Sequence, residues 1–165
     1  MSIFGVGPVF VALSALYTAV ALTLRALYPQ VFTITCVPRW VLVTAGAVLL
    51  GIGVPFFFAA LATLVRGFPQ GKLFTSGVYA TCRHPVYGAW VVFNVPGMVL
   101  LVGNSIGLLV PVAMYATLRV LVRKEERFLE DAFGDEYRAY RKRTPSVFPL
   151  LWRWRASTSK LRTGS

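Results

Sequence analysis

Four long apolar stretches, separated by short polar ones, organise the chain. They cover residues 6–27, 39–65 and 86–102, and a run beginning near 105. Each approaches or exceeds the ~20 predominantly apolar residues that a bilayer-crossing helix needs. No Asp, Glu or Lys interrupts their interiors. The pattern predicts an all-α, polytopic membrane helical bundle of about four transmembrane helices, with a C-terminal amphipathic segment and short helix outside the membrane. The second stretch carries Ala45, Gly46, Gly51 and Gly53, small residues that suit close helix packing, and Pro55, a kink position. The third stretch is short: at 1.5 Å per residue it reaches only about 25 Å. It also holds Asn94, Pro96 and Gly97 near its middle. A short helix interrupted in this way is tolerated where it faces other helices or a cavity. Asn94 equally fits a helix interface where it bonds a neighbour.

The connections have recognisable chemistry. Residues 29–38 join the first two stretches, and 66–85 form a polar link with Pro69, Gly71, Ser76 and Gly77 as turn residues. After the turn Gly103-Asn104, the fourth helix runs past Arg119 without a breaker and becomes amphipathic through Lys124-Glu125-Glu126 up to Phe133. Gly134 fits the C′ position of that helix, and Asp135 fits the cap of a short helix over 135–143, which Thr144-Pro145 stops. Trp152-Arg153-Trp154-Arg155 has the pairing of an interfacial anchor, and 157–165 reads as disordered. No Lys or Arg precedes the first apolar run, so a cleavable signal peptide is not expected.

Composition supports lipid as the solvent. The chain of 165 residues is 56% hydrophobic and only 14% charged, with mean hydropathy +0.65, where a soluble domain carries about a quarter charged residues. The net charge of +11 is unevenly placed. All six acidic residues fall between Glu125 and Glu136, and twelve of the seventeen basic ones lie from Arg119 onward. The positive charge follows the ends of membrane segments, so the positive-inside rule accounts for it and nucleic acid is not an expected partner. Four crossings put both termini, the 66–85 link and the basic tail on one side, expected to be cytoplasmic. Cys36 and Cys82 have no metal or redox spacing, and no metal site is expected.

Two polar clusters stand out, and the topology brings them together. One is Ser76-Gly77-Val78-Tyr79-Ala80-Thr81-Cys82-Arg83-His84-Pro85-Val86-Tyr87, where the third crossing begins. The other is Lys124-Glu125-Glu126, where the fourth ends, followed by the segment from Gly134 through Tyr137, Tyr140 and Arg143 to Pro145. Taken singly these have bland readings. Arg83, Lys124 and Arg127 fit snorkelling charges, Tyr79 and Tyr87 an interfacial belt, and His84-Pro85 a helix start. Glu125 shares a helix face with Phe128, Leu129 and Ala132, so one glutamate of the pair is expected to point into packed structure.

In order and spacing, Gly-Val-Tyr-x-x-x-Arg-His-Pro-x-Tyr, Glu-Glu and Phe-Gly-x-x-Tyr-x-x-Tyr-x-x-Arg-x-Pro resemble the isoprenylcysteine carboxyl methyltransferase family, which is related to membrane phospholipid methyltransferases. The likeness runs over 73–149. It implies one integral membrane domain over 1–151, with an N-terminal helix pair (1–65) and a cofactor-binding half (66–151), followed by a tail (152–165). It implies S-adenosyl-L-methionine as cofactor, held near the cytosol, and a lipophilic acceptor that arrives from the bilayer. By position, Gly77, Val78, Tyr79, Arg83, His84, Pro85, Tyr87, Glu125, Glu126 and Tyr137 are the implied cofactor-binding residues. Glu126, Tyr140 and Arg143 are the implied catalytic or acceptor-orienting ones. The residue types suit this cofactor. A glutamate can pair with its ammonium or ribose hydroxyls, Arg83 or His84 with its carboxylate, and a tyrosine face with its adenine or sulfonium. An acceptor carboxylate is already ionised and needs no base, whereas an amine would. The acceptor that the resemblance implies is an isoprenylcysteine-like carboxylate. The alternative is a phospholipid N-methyltransferase, and a small transporter or assembly subunit is more distant because the span interiors lack buried carboxylates or lysines.

Overall fold

The computed structural model describes residues 6–67 and 73–150. The turn residues Pro69 and Gly71, the Trp152–Arg155 anchor and the rest of the tail lie outside the described residues. Among the described residues, four helical segments are long and apolar enough to cross a membrane: Gly7–Leu27, Arg39–Arg66, Pro85–Val102 and Ile106–Arg143. Helix α1 is Gly7–Leu27, the one-turn α2 is Pro29–Phe32, and α3 is Arg39–Gly67, within which Pro55 sits. The third crossing is composite. It consists of α4 (Pro85–Gly88), a π-helical turn (Ala89–Asn94) and α5 (Val95–Val102). Helix α6, Leu109–Arg143, completes the bundle.

The short third segment is the central one. It is 44% buried inside the bundle, against 11–28% for the others. That position explains how a helix of marginal length is accommodated: protein, rather than lipid, surrounds much of it. Its π turn lies just ahead of Pro96. Proline has no N–H for the helical ladder and its ring crowds the carbonyl a turn earlier, so the backbone widens, and the Val95 N–H bonds the Trp90 carbonyl. Against α3 the crossing is close. A Cβ on Gly46 would sit 2.7 Å from the Gly97 carbonyl oxygen, and one on Gly53 would overlap the Asn94 side chain. The small residues of the second stretch thus permit backbone contact. Asn94 is buried there, and its Oδ1 has no hydrogen-bond partner among the described residues.

The end of the bundle away from the polar clusters is pinned by backbone bonds. Ile34 N–H donates to Gly103 O at 3.0 Å, and Ser105 N–H to Phe32 O at 2.9 Å. Asn104 Nδ2 donates to Ala21 O at 3.1 Å, and Arg39 caps the Leu101 carbonyl at 2.5 Å. The Gly103-Asn104 turn forms as expected, with Gly103 at φ 71°.

Beyond the membrane, α6 departs from a straight rod at Gly134, whose φ of 52° and ψ of −124° suit only glycine. A continuous helix would hold residues 126 and 141 about 22 Å apart. Instead Arg141 Nε is 3.7 Å from Glu126 Oε2, and Arg141 Nη1 is 3.2 Å from Glu130 Oε2. The chain therefore folds back on itself at this glycine. Asp135 does not act as a helix cap: its carboxylate accepts from Arg138 at 2.8 Å and is 97% exposed, so a neighbouring guanidinium has outcompeted the backbone N–H groups.

Candidate active site

The site is assembled from three stretches at one end of the bundle. The first is the loop of residues 73–84, which reaches α4 through a 3₁₀ turn over Gly77–Ala80, with Gly77 at φ 61°. Val78 is buried and Tyr79 half-buried against Phe74, ring centroids 6.3 Å apart. The second is the α6 stripe Met114, Leu118, Val122 and Glu126, each four residues after the last, all buried. This i, i+4 series turns Glu126 inward. Glu125 lies one position round the helix and is half-buried, while Phe128, on the face expected to be packed, is 44% exposed. Of the twin carboxylates it is therefore Glu126 that enters the packed interior most deeply. The third stretch is the fold-back from Gly134 to Leu150.

Arg83 and Glu126 join these parts. Arg83 Nε and Nη2 both donate to Glu126 Oε1, at 3.0 and 2.5 Å, with side chains only 10% and 11% exposed. The remaining arm, Nη1, donates to Thr144 O at 2.7 Å and Arg141 O at 3.0 Å. One guanidinium thus ties the loop to both later stretches. Ser146 Oγ donates to the same Glu126 oxygen at 3.4 Å. Tyr140 donates its hydroxyl to the Tyr79 carbonyl at 2.6 Å, fastening the returning helix to the 3₁₀ turn. Residues 144–150 then run along 81–88. Arg83 N–H donates to Pro145 O at 2.9 Å, His84 N–H to Ser146 O at 3.0 Å, and Leu150 N–H to Thr81 O at 3.0 Å. Gly88 allows that approach, since a Cβ there would meet Val147 O at 2.5 Å. Val147 and Gly88 escape a reading of the sequence because their contribution is backbone contact, and Ser146, whose hydroxyl also bonds Glu126, belongs to no motif.

The other expected residues fall around this frame. His84 is buried at the start of α4, its ring 6.2 Å from that of Tyr87, and its Nε2 lies 3.4 Å from Glu126 Oε1. Tyr87 packs edge-on against Phe10 of α1 at 5.1 Å. Pro85 is fully buried, and Tyr137 is fully buried 6.2 Å from Tyr140. Arg143 is exposed at the end of α6. Five buried polar atoms have no hydrogen-bond partner among the described residues; Arg25 Nε and Asn94 Oδ1 lie elsewhere in the bundle, while His84 Nε2, Glu125 Oε2 and the Tyr137 hydroxyl belong to the three stretches described here. Buried polar groups are nearly always paired, which makes these three atoms candidates for holding a ligand.

Burial raises the Tyr79 hydroxyl well above its usual range, with the Glu125 charge adding to the effect. Burial likewise pushes the Cys82 thiol up to about 12. The thiol is therefore held protonated and unreactive near neutral pH. Cys36 is exposed in the opposite loop. A membrane-impermeant maleimide is expected to label Cys36 and spare Cys82 in the folded protein, and peptide mapping after labelling checks this. Rapid modification of Cys82 would contradict the packing. Among the described residues, no group of three or more His, Cys, Asp and Glu side chains is placed to hold a metal ion.

Four helical segments long and apolar enough to cross a membrane, with the Arg83–Glu126 pair and the fold-back gathered at one end, define the class: an all-α polytopic membrane bundle. The model of the isoprenylcysteine carboxyl methyltransferase family matches residues 35–131, and the chain belongs to that family. It is 37% identical over 79 residues to the protein-S-isoprenylcysteine O-methyltransferase of Mus musculus, covering 48% of this chain and 28% of the mouse protein. The Schizosaccharomyces pombe protein of the same name is 36% identical over 80 residues, covering 48% of this chain and 34% of the relative. A cobalt-zinc-cadmium resistance protein of Cupriavidus metallidurans is 33% identical over 102 residues, covering 59% and 45%. The chain thus spans less than half the length of each of these relatives. No solved structure matches.

Proposed function

We propose that this protein is an S-adenosyl-L-methionine-dependent membrane methyltransferase whose acceptor is the carboxylate of an isoprenylcysteine-like lipophile arriving from the bilayer, with the site on the cytoplasmic side. The observation that carries the reading is the group of unpaired buried atoms on His84, Glu125 and Tyr137, contributed by three separate stretches. Their chemistry fits the cofactor: a carboxylate for its ammonium or ribose hydroxyls, and an imidazole and a phenol for its remaining polar groups. Tyr87 and the backbone of Gly77, Val78 and Tyr79, together with the Pro85 turn, complete the cofactor-binding set.

Bound S-adenosyl-L-methionine supplies an electrophilic methyl group on a sulfonium. The protein's part is alignment and exclusion of water, which can lower such a barrier by about 7–11 kcal/mol. No side chain has to remove a proton from a carboxylate acceptor. Arg83 and Glu126, already committed to one another, position the walls. Tyr140 holds the returning helix shut through the Tyr79 carbonyl. Arg143, at the rim, is assigned to orienting the acceptor.

The test is incubation of purified protein with methyl-labelled S-adenosyl-L-methionine and a panel of farnesylcysteine, geranylgeranylcysteine, phosphatidylethanolamine and small thiols. Label released as methanol by alkali is the expected result. Label that survives alkali on an amine would assign the phospholipid N-methyl chemistry instead, and no transfer to any acceptor would refute the reading.

A further inference from the structure

Glu126 and Arg83 also border an open space. There they form the floor of a notch of about 170 Å³ lined by Arg83, Arg119, Val122, Arg123, Arg141 and Ser146 as well as Glu126. It has room for a small oxyanion head group. Four guanidinium groups and one carboxylate meet in it. Arg83 is fully committed to Glu126 and two carbonyls, and Arg141 is shared between Glu126 and Glu130. Arg119 and Arg123, exposed and one helical turn apart on α6, have neither a hydrogen bond nor an ion pair among the described residues. The one carboxylate of the notch is therefore already neutralised, and two cations beside it are not.

Their depth identifies what can neutralise them. The apolar run of α6 ends at Leu118, so Arg119 and Arg123 stand where hydrocarbon gives way to the interface. Anionic groups carried by amphiphiles gather at that level, and basic pockets between helix ends recognise them. The Ser146 hydroxyl adds a polar group at the rim. We infer that the notch is an oxyanion site for the head of a membrane amphiphile, a phosphate or carboxylate carried on an apolar tail, held by Arg119 and Arg123. The inference concerns binding and stands apart from whether methyl transfer occurs.

The experiment uses the full chain purified in an uncharged detergent, with native mass spectrometry as readout. Four probes are titrated: phosphatidylglycerol against phosphatidylcholine, and N-acetyl-farnesylcysteine against its uncharged methyl ester. In each pair the anion-headed member is expected to bind more tightly if its class occupies the notch, which separates a phospholipid source from a prenylated carboxylate. The double substitution Arg119→Gln, Arg123→Gln is expected to weaken the preferred anion about thirtyfold. Arg127→Gln, an exposed cation on the same helix outside the notch, should leave it within about twofold. Arg119→Lys, Arg123→Lys keeps the charge and serves as the variant closest to native packing. Should the wild type bind charged and uncharged members of both pairs equally, or the Gln variant bind like wild type, the inference is wrong. Because no turnover is measured, a failure of the methyltransferase reading leaves this result interpretable.

Discussion

Glu126→Ala is expected to destabilise the folded protein by about 3 kcal/mol, enough to lower its unfolding midpoint clearly in detergent. The reason lies in what remains. Arg83 would keep its bonds to Thr144 O and Arg141 O but lose the carboxylate that takes two of its nitrogens. A guanidinium only 10% exposed would then be left without a counter-charge. The loop of residues 73–84 and the segment of residues 144–150 should separate together, since the same side chain ties both. Removing both partners, as in Arg83→Met with Glu126→Leu, should recover part of the loss, because no charge is stranded. Thermal or denaturant unfolding followed by circular dichroism checks the pair of results. A wild-type midpoint for Glu126→Ala would mean that the pair does not hold the site together.

Glu125→Gln should behave in the opposite way. Its Oε2 has no hydrogen-bond partner among the described residues, so the substitution removes charge without breaking a bond. The unfolding midpoint should stay near that of the wild type, while affinity for S-adenosyl-L-methionine falls by roughly tenfold to a hundredfold, the worth of a charge-assisted hydrogen bond of about 1.5–3 kcal/mol. His84→Ala should fall in the same class. Isothermal titration with the cofactor measures both, and unaltered affinity in Glu125→Gln and His84→Ala together would remove the proposed pocket. The two neighbouring glutamates thus separate by experiment, one into architecture and one into ligand binding.

The bundle was legible because lipid imposes a simple rule: each crossing must be long, apolar and internally hydrogen-bonded. The four runs, the Gly103-Asn104 turn and the meeting of His84 with the glutamate pair all follow from that rule and from up-down topology. What was hidden depends on rotation and backbone path. Looking forward from Glu125 to Phe128 and Leu129 indicates only that one glutamate of the pair points into packed structure. Looking back through Val122, Leu118 and Met114, which pack in the membrane, finds Glu126. Gly134 announces a break but not its direction, which its φ and ψ decide. Asp135 was plausible as a cap until Arg138 came within reach. Arg83 reads from composition as a snorkelling cation or a ligand for the cofactor carboxylate. Its three nitrogens make four bonds, two to Glu126 and one each to Thr144 O and Arg141 O.

The irregular run of residues 144–150 bears on how the protein matures. Its carbonyls receive the N–H groups of Arg83 and His84, residues synthesised some sixty positions earlier. All four crossings can therefore settle in the lipid while the pocket still stands open, and only the last portion of the described chain to leave the ribosome closes it. Premature termination near residue 143 would keep all four membrane-length helices but remove the carbonyls that Arg83 and His84 bond.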